Sequence, residues 1–147
     1  MGFALLLLAA PGWAEIPDSR LQEMDELHAR DRHEEVLSVL RTLEAEATTY
    51  EERARLLWRR ARAEFSRIDL ALYAGEISKS DAEKELEAVQ ERADTAVQLD
   101  DTLAEAHFWR GAVRAKRGEL RGVLNALFMA DDLRSDMRRS TEADPEY

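Results

Sequence analysis

Along most of this chain, apolar residues recur at the three-and-four spacing of one helix face. Leu21, Met24 and Leu27 follow Asp18, a residue type suited to cap a helix start. Val36, Leu37, Leu40 and Leu43 form the next stripe, which begins near His33. A longer one starts near Tyr50 and passes through Leu57, Trp58, Ala61, Phe65, Ile68 and Leu72; Gly75 is placed to end it as a C-terminal glycine. Ser80, with Glu83 three residues on, reads as a capping box. The helix it opens carries Leu86, Val89, Ala93, Ala96 and Val97. A fifth helix is expected from about Leu103 to Arg117, stopped by Gly118, and a sixth from Glu119 to about Thr141. No stretch alternates with period two for long enough to make a strand. The predicted class is all-α, with helix pairs at about 18–48, 51–99 and 103–142 inside a domain of residues 15–147.

The start of the chain has a different pattern. Phe3 to Ala10 is an unbroken apolar run, and the first charged side chain is Glu15. Such a run is too short for a membrane-spanning helix, which needs about 20 apolar residues. It fits the core of a secretory signal. Pro11 breaks it, and Gly12 and Ala14 put small residues at the −3 and −1 positions of a cleavage site. Residues 1–14 are expected to be a signal peptide cleaved after Ala14, giving a periplasmic or secreted protein with no membrane span after cleavage. No Lys or Arg precedes the run, which leaves room for a start further upstream.

The paired helices invite a search for a repeat. Ala104-Glu105-Ala106-His107-Phe108-Trp109-Arg110-Gly111, followed by Gly118, resembles the tetratricopeptide repeat. That repeat wants a small residue at its eighth position, here Gly111, and a turn glycine at its fifteenth, here Gly118. The first lets the partner helix approach; the second ends a helix in the left-handed conformation. Ala96 to Asp100 matches the tail of a preceding repeat, although Asp101 stands in its usual proline slot. Trp58, Ala61 and Phe65 supply that repeat's first helix, and Asp31 to Leu43 reads as the turn and second helix of an earlier, weaker repeat. The resemblance implies an array of about three antiparallel helix pairs, an α-solenoid. An insertion around residues 73–79 lengthens the middle pair, and the final helix is long.

The segment Ala104 to Tyr147 also resembles exported bacterial tetratricopeptide proteins, namely the T-component proteins of TRAP-type solute transporters and the related regulator-of-microtubule-dynamics family. This resemblance implies a non-catalytic periplasmic adaptor that assembles with itself or with a solute-binding protein. Such proteins usually continue into further helices beyond the region around Asp144 to Tyr147.

Composition narrows the classes of function. The 147 residues carry 31 acids and 21 bases, a net charge of −10, which argues against nucleic acid or anionic lipid as the main partner. With no cysteine there is no disulfide, thiolate metal site or catalytic thiol. Neither a nucleophile elbow, a phosphate loop nor a His-Glu-x-x-His motif is present, so no enzyme and no cofactor are expected. His28 and His33 are five apart with a turn expected between them, a poor metal pair; His107 falls where a repeat packs a large side chain.

Charge is also uneven. Arg53, Arg55, Arg59, Arg60, Arg62 and Arg67 gather on the long third helix, where neighbouring acids can neutralise them. In repeat geometry, Arg59, Ser66 and Arg67 of the middle pair and Phe108 and Lys116 of the third fall on groove positions. Such a groove suits an acidic peptide or a carboxylate. The sixth helix has an inward stripe of Leu120, Val123, Leu127, Ala130 and Met137. Leu124, Phe128 and Met129 lie beside or off it, more apolar surface than a terminal helix needs. That surface awaits a further repeat, another subunit or the insertion. An alternative function, in a different class, is a helical protein enclosing an apolar or carboxylated small molecule among Trp58, Phe65, Phe108, Trp109 and Phe128.

Overall fold

Residue preferences at the helix ends set the architecture. The computed structural model describes residues 15–147, and the expected signal segment, residues 1–14, lies outside the described residues. Six helices follow in chain order: α1 (Asp18–Ala29), α2 (His33–Glu46), α3 (Tyr50–Tyr73), α4 (Lys79–Leu99), α5 (Ala104–Arg121) and α6 (Val123–Ala143). The protein is all-α, with no strand among the described residues. Within those residues no helix is long and apolar enough to cross a membrane.

Each helix packs on its chain neighbours, and α3 also packs on α5. This neighbour-by-neighbour order is what stacked helix pairs require. The apolar interior is correspondingly divided. Leu21, Met24, Val36, Leu40 and Leu56 join α1, α2 and the start of α3. Ile68, Ala82, Leu86, Val89 and Val113 join α3, α4 and α5. Trp58, Ala96, Val97 and Ala106 close the other end of that second interface.

The start of α3 is the most strongly tied helix end. Thr49 Oγ1 accepts from the Glu52 backbone N–H at 3.1 Å, and Glu52 accepts from Thr49 N–H at 3.1 Å, a reciprocal capping box. The Glu52 carboxylate also accepts from Thr48 N–H at 2.8 Å and from Ile16 N–H at 2.9 Å. One buried side chain thus fastens the approach to α1 onto the start of α3. The backbone donors of Thr48, Ile16 and Thr49 draw the Glu52 pKa down to about 2.

Four expectations about helix ends and faces need correction. Pro17, not Asp18, holds the cap position of α1; Asp18 lies in the first turn and pairs with Arg55 at 2.5 Å. The cap of α4 is Ser78, whose Oγ accepts from Asp81 N–H at 3.1 Å, so Ser80 is already inside the helix. The third correction concerns the two glycines four residues apart. Gly118 lies within α5, and the break falls at Gly122, whose φ is +98°. Gly118 is there for contact: a Cβ on it would stand 3.2 Å from Ala126 Cα of α6. As a fourth consequence, Glu119 and Leu120 belong to α5, and Leu120 packs into the α3–α4–α5 core instead of lying on α6. By contrast, Gly75, with φ +73°, ends α3 as its sequence position suggests. Gly111 also serves close approach: a Cβ would meet Asp136 Cβ at 3.2 Å and the flexible end of Met137 at 2.3 Å.

Candidate functional site

Two surfaces stand out chemically. The first lies where α1, α3 and α5 converge. Arg55, Arg59 and Arg62 fall at helical spacing on α3, facing α1. Arg59 donates through Nε at 3.1 Å and Nη2 at 2.8 Å to the two oxygens of Asp25. Arg62 donates to the same carboxylate at 2.6 Å. Both guanidiniums cover the Trp58 ring, at 4.2 and 5.0 Å from its centroid. Burial alone would raise the Asp25 pKa; hydrogen bonds and positive charge from Arg59 and Arg62 outweigh it and hold the group lowered.

Histidine and aromatic rings extend this cluster. His28 and His33 do straddle a turn, but their ring centroids are only 4.8 Å apart. Burial, followed by the nearby Arg62 charge, lowers the His28 pKa to about 4. Burial also lowers that of His33. Trp109 of α5 lies 6.4 Å from His28, 5.8 Å from Phe65 and 5.3 Å from Phe108. Beyond α6 the chain returns to this wall: Trp109 Nε1 donates to Tyr147 Oη at 2.9 Å, and Phe108 packs 5.4 Å from the Tyr147 ring. Two guanidiniums share one carboxylate here, and Arg62 Nε is buried without a partner. No group of three or more His, Asp or Glu among the described residues is arranged to hold a metal ion.

The sequence-predicted groove residues do not form one cluster of free donors. Arg59 is consumed by Asp25. Arg67 pairs with Glu85 of α4 at 2.7 Å and approaches Glu34 of α2 at 3.8 Å. Lys116 pairs with Asp69 of α3 at 2.8 Å, chiefly through a hydrogen bond that raises its pKa. Ser66 is half-buried on α3, and Phe108 is half-buried against Trp109 and Tyr147. His107 is a packed residue, with Nε2 at 2.8 Å from the Asp101 carbonyl. Asp25 was missed as a partner because nothing in the sequence links it to arginines more than thirty residues away. The four-and-three spacing of Arg55, Arg59 and Arg62 was the available signal.

The second surface is the start of α6. Leu124, Leu127 and Phe128 lie at i, i+3 and i+4 and are 74, 67 and 84% exposed. The expected inward position of Leu127 is therefore overturned, and the insertion does not cover Phe128. Met129 departs from this ridge: it is half-buried, with its Sδ 3.5 Å from where a Cβ on Gly118 would stand. The described buried side chains of α6 are polar, Asp136 and Ser140. Asp136 receives Arg110 Nε at 2.8 Å and Arg114 Nη1 at 2.7 Å, and Arg114 continues to Asp94 of α4 at 3.3 Å. An ionic chain through α4, α5 and α6 thus adds to the close contacts at Gly111 and Gly118 that hold α6, while Leu124, Leu127 and Phe128 form an apolar ridge.

No family model, curated protein or solved structure matches this chain.

Proposed function

We propose that this chain is a non-catalytic adaptor of tetratricopeptide type, exported to the bacterial periplasm, which binds another protein. The resemblance in its last helix pair suggests the solute-binding component of a TRAP-type transporter as that partner. The observation that carries the binding role is the ridge of Leu124, Leu127 and Phe128, which α6 leaves exposed while it packs on α5 and pairs through Asp136. Exposed apolar side chains in one contiguous line suit a protein interface. Covering each of them is worth roughly 1.5–3 kcal/mol before the cost of association. A second copy of the chain is an alternative occupant of the same ridge.

Photo-crosslinking from position 124, on the same ridge, in cell envelope tests this reading. The expected product is a crosslink to a solute-binding protein, lost in Phe128→Glu. A crosslink between two copies assigns the ridge to self-assembly. No crosslink, or one indifferent to Phe128→Glu, overturns the role of the ridge.

One observation favours the alternative, a protein that holds a small carboxylated ligand. Asp25 balances only one of the two arginines beside it, and Arg62 Nε has no partner. Calorimetry with aromatic and aliphatic carboxylates separates the two readings. Saturable heat that disappears in Arg62→Gln supports a ligand site; none at millimolar ligand removes it.

A further inference from the structure

The lengths of α2 and α3 leave a cleft between them. The two helices run antiparallel, with Arg60 on Glu44 at 2.7 Å and Arg67 near Glu34 at 3.8 Å. Beyond Arg67, α3 continues past the point where the chain turns into α2 at Asp31 and Arg32. This overhang leaves Leu70 51% and Tyr73 93% exposed. The space between the overhang and the start of α2 measures about 590 Å³. Specific ligand and peptide sites commonly have volumes of this order.

The lining of the cleft is amphipathic and its charge is one-sided. Leu70, Ala71 and Tyr73 supply the apolar wall. Four carboxylates, those of Asp31, Glu34, Glu35 and Glu76, face two guanidiniums, those of Arg32 and Arg67. Both guanidiniums are already engaged, Arg32 by Glu35 and Arg67 by Glu85. Asp31 and Glu34 keep 85 and 78% of their side chains exposed. His33 lines the same cleft; it is 6% exposed, and its Nδ1 has no hydrogen-bond partner. Past Glu34 and Arg67 an adjoining hollow along α2 is lined by Leu37, Arg41, Arg60 and Glu64, where acids no longer outnumber bases. The acidic part is therefore short.

We propose that this cleft docks a short basic and apolar segment of a partner protein, one arginine or lysine among Asp31, Glu34 and Glu76 and one apolar side chain on Leu70 and Tyr73. The carboxylates supply acceptors for a donor-only cation, and the exposed Tyr73 ring supplies a π face for it. The apolar wall distinguishes such a segment from a diffuse cloud of counterions. Arg41 at the far end disfavours a longer basic run. The cleft shares no residue with the α6 ridge, so it stands or falls separately from that surface.

The test is an amide NMR titration of the protein with the capped hexapeptide Ala-Arg-Leu-Leu-Lys-Ala. Two further arms use a version with serine for both leucines and free spermine. Expected are saturable shifts confined to residues 31–35 and 67–76, together with loss of at least about fivefold in affinity in Leu70→Ser and in Glu34→Gln. Both substitutions fall on exposed side chains and leave the fold intact. Glu142→Gln and Phe128→Glu should bind as the parent does. Shifts spread over other acidic surfaces, equal binding of the serine peptide, tighter binding of spermine, or no saturation at about 1 mM peptide would each overturn the proposal.

Discussion

Helices α3 and α6 are both long and amphipathic, yet they differ in how many neighbours they have and in what they bury. Packed against α2, α4 and α5, α3 buries Leu56, Trp58, Ala61, Ala63 and Ile68. The main partner of α6 is α5, and its described buried side chains are Asp136 and Ser140. A helix packed on three others has neighbours to receive its apolar side chains; one packed mainly on a single helix keeps an outer flank uncovered. The Asp136 ion pairs and the close approach at Gly111 and Gly118 position α6 on α5 without covering Leu124, Leu127 and Phe128.

The sharpest way to break this contrast is to remove the anchor. Asp136→Ala leaves Arg110 and Arg114 facing each other without their shared carboxylate, and the expected loss is about 3–5 kcal/mol. Hydrogen exchange should quicken across residues 123–143 while α1 to α3 stay protected. Uniform acceleration along the chain would show that α6 is as integral as α3.

Glu52→Gln attacks the opposite end. It weakens charge-assisted bonds to three backbone donors, and the expected cost is about 2–3 kcal/mol, read by chemical denaturation. Acid titration of the parent protein probes the same region. His28, lowered to about 4, contributes stability that declines as pH falls from its ordinary value of 6.5. Glu52, lowered to about 2, contributes stability present above 4.5 and lost as pH falls through about 2. Exposure of the α1–α3 region should therefore begin in mild acid and deepen below pH 4.5. A melting temperature flat from pH 7 to 4 would contradict the His28 contribution.

Gly111→Leu should cost about 1–3 kcal/mol by forcing α5 and α6 apart, as thermal melting would register. A melt like the parent's would show that the close approach is not required. Phe128→Glu should change stability by less than about 0.5 kcal/mol, because the ring is exposed. Its effect belongs in light scattering and crosslinking, through loss of any complex formed on the ridge.

The sequence made the class and most helix stripes legible because periodicity alone decides them. It placed Gly75 correctly, since a glycine just beyond the last periodic residue has one natural role. It misassigned Gly118 because a second glycine, Gly122, follows four residues on at the end of α5, and only the contact with Ala126 distinguishes spacing from termination. That one displaced turn also moved Leu120 onto the wrong helix. Within the candidate site, Trp109 and the arginines of α3 could be singled out as residue types. Their pairing with Asp25 and Tyr147 depends on how helices far apart in sequence are stacked, which no local pattern records.

The turn at Gly122 has a further consequence for mutational tolerance. Its φ of +98° and ψ of 168° fall where essentially only glycine is found, and a Cβ there would meet nothing within 4 Å. Judged by crowding, the position could accept any residue. Judged by its backbone, each of the other amino acids would carry a penalty of about 1–3 kcal/mol or shift the junction. A saturation scan of the surface should therefore find an open, solvent-facing position that is among the least replaceable in the chain.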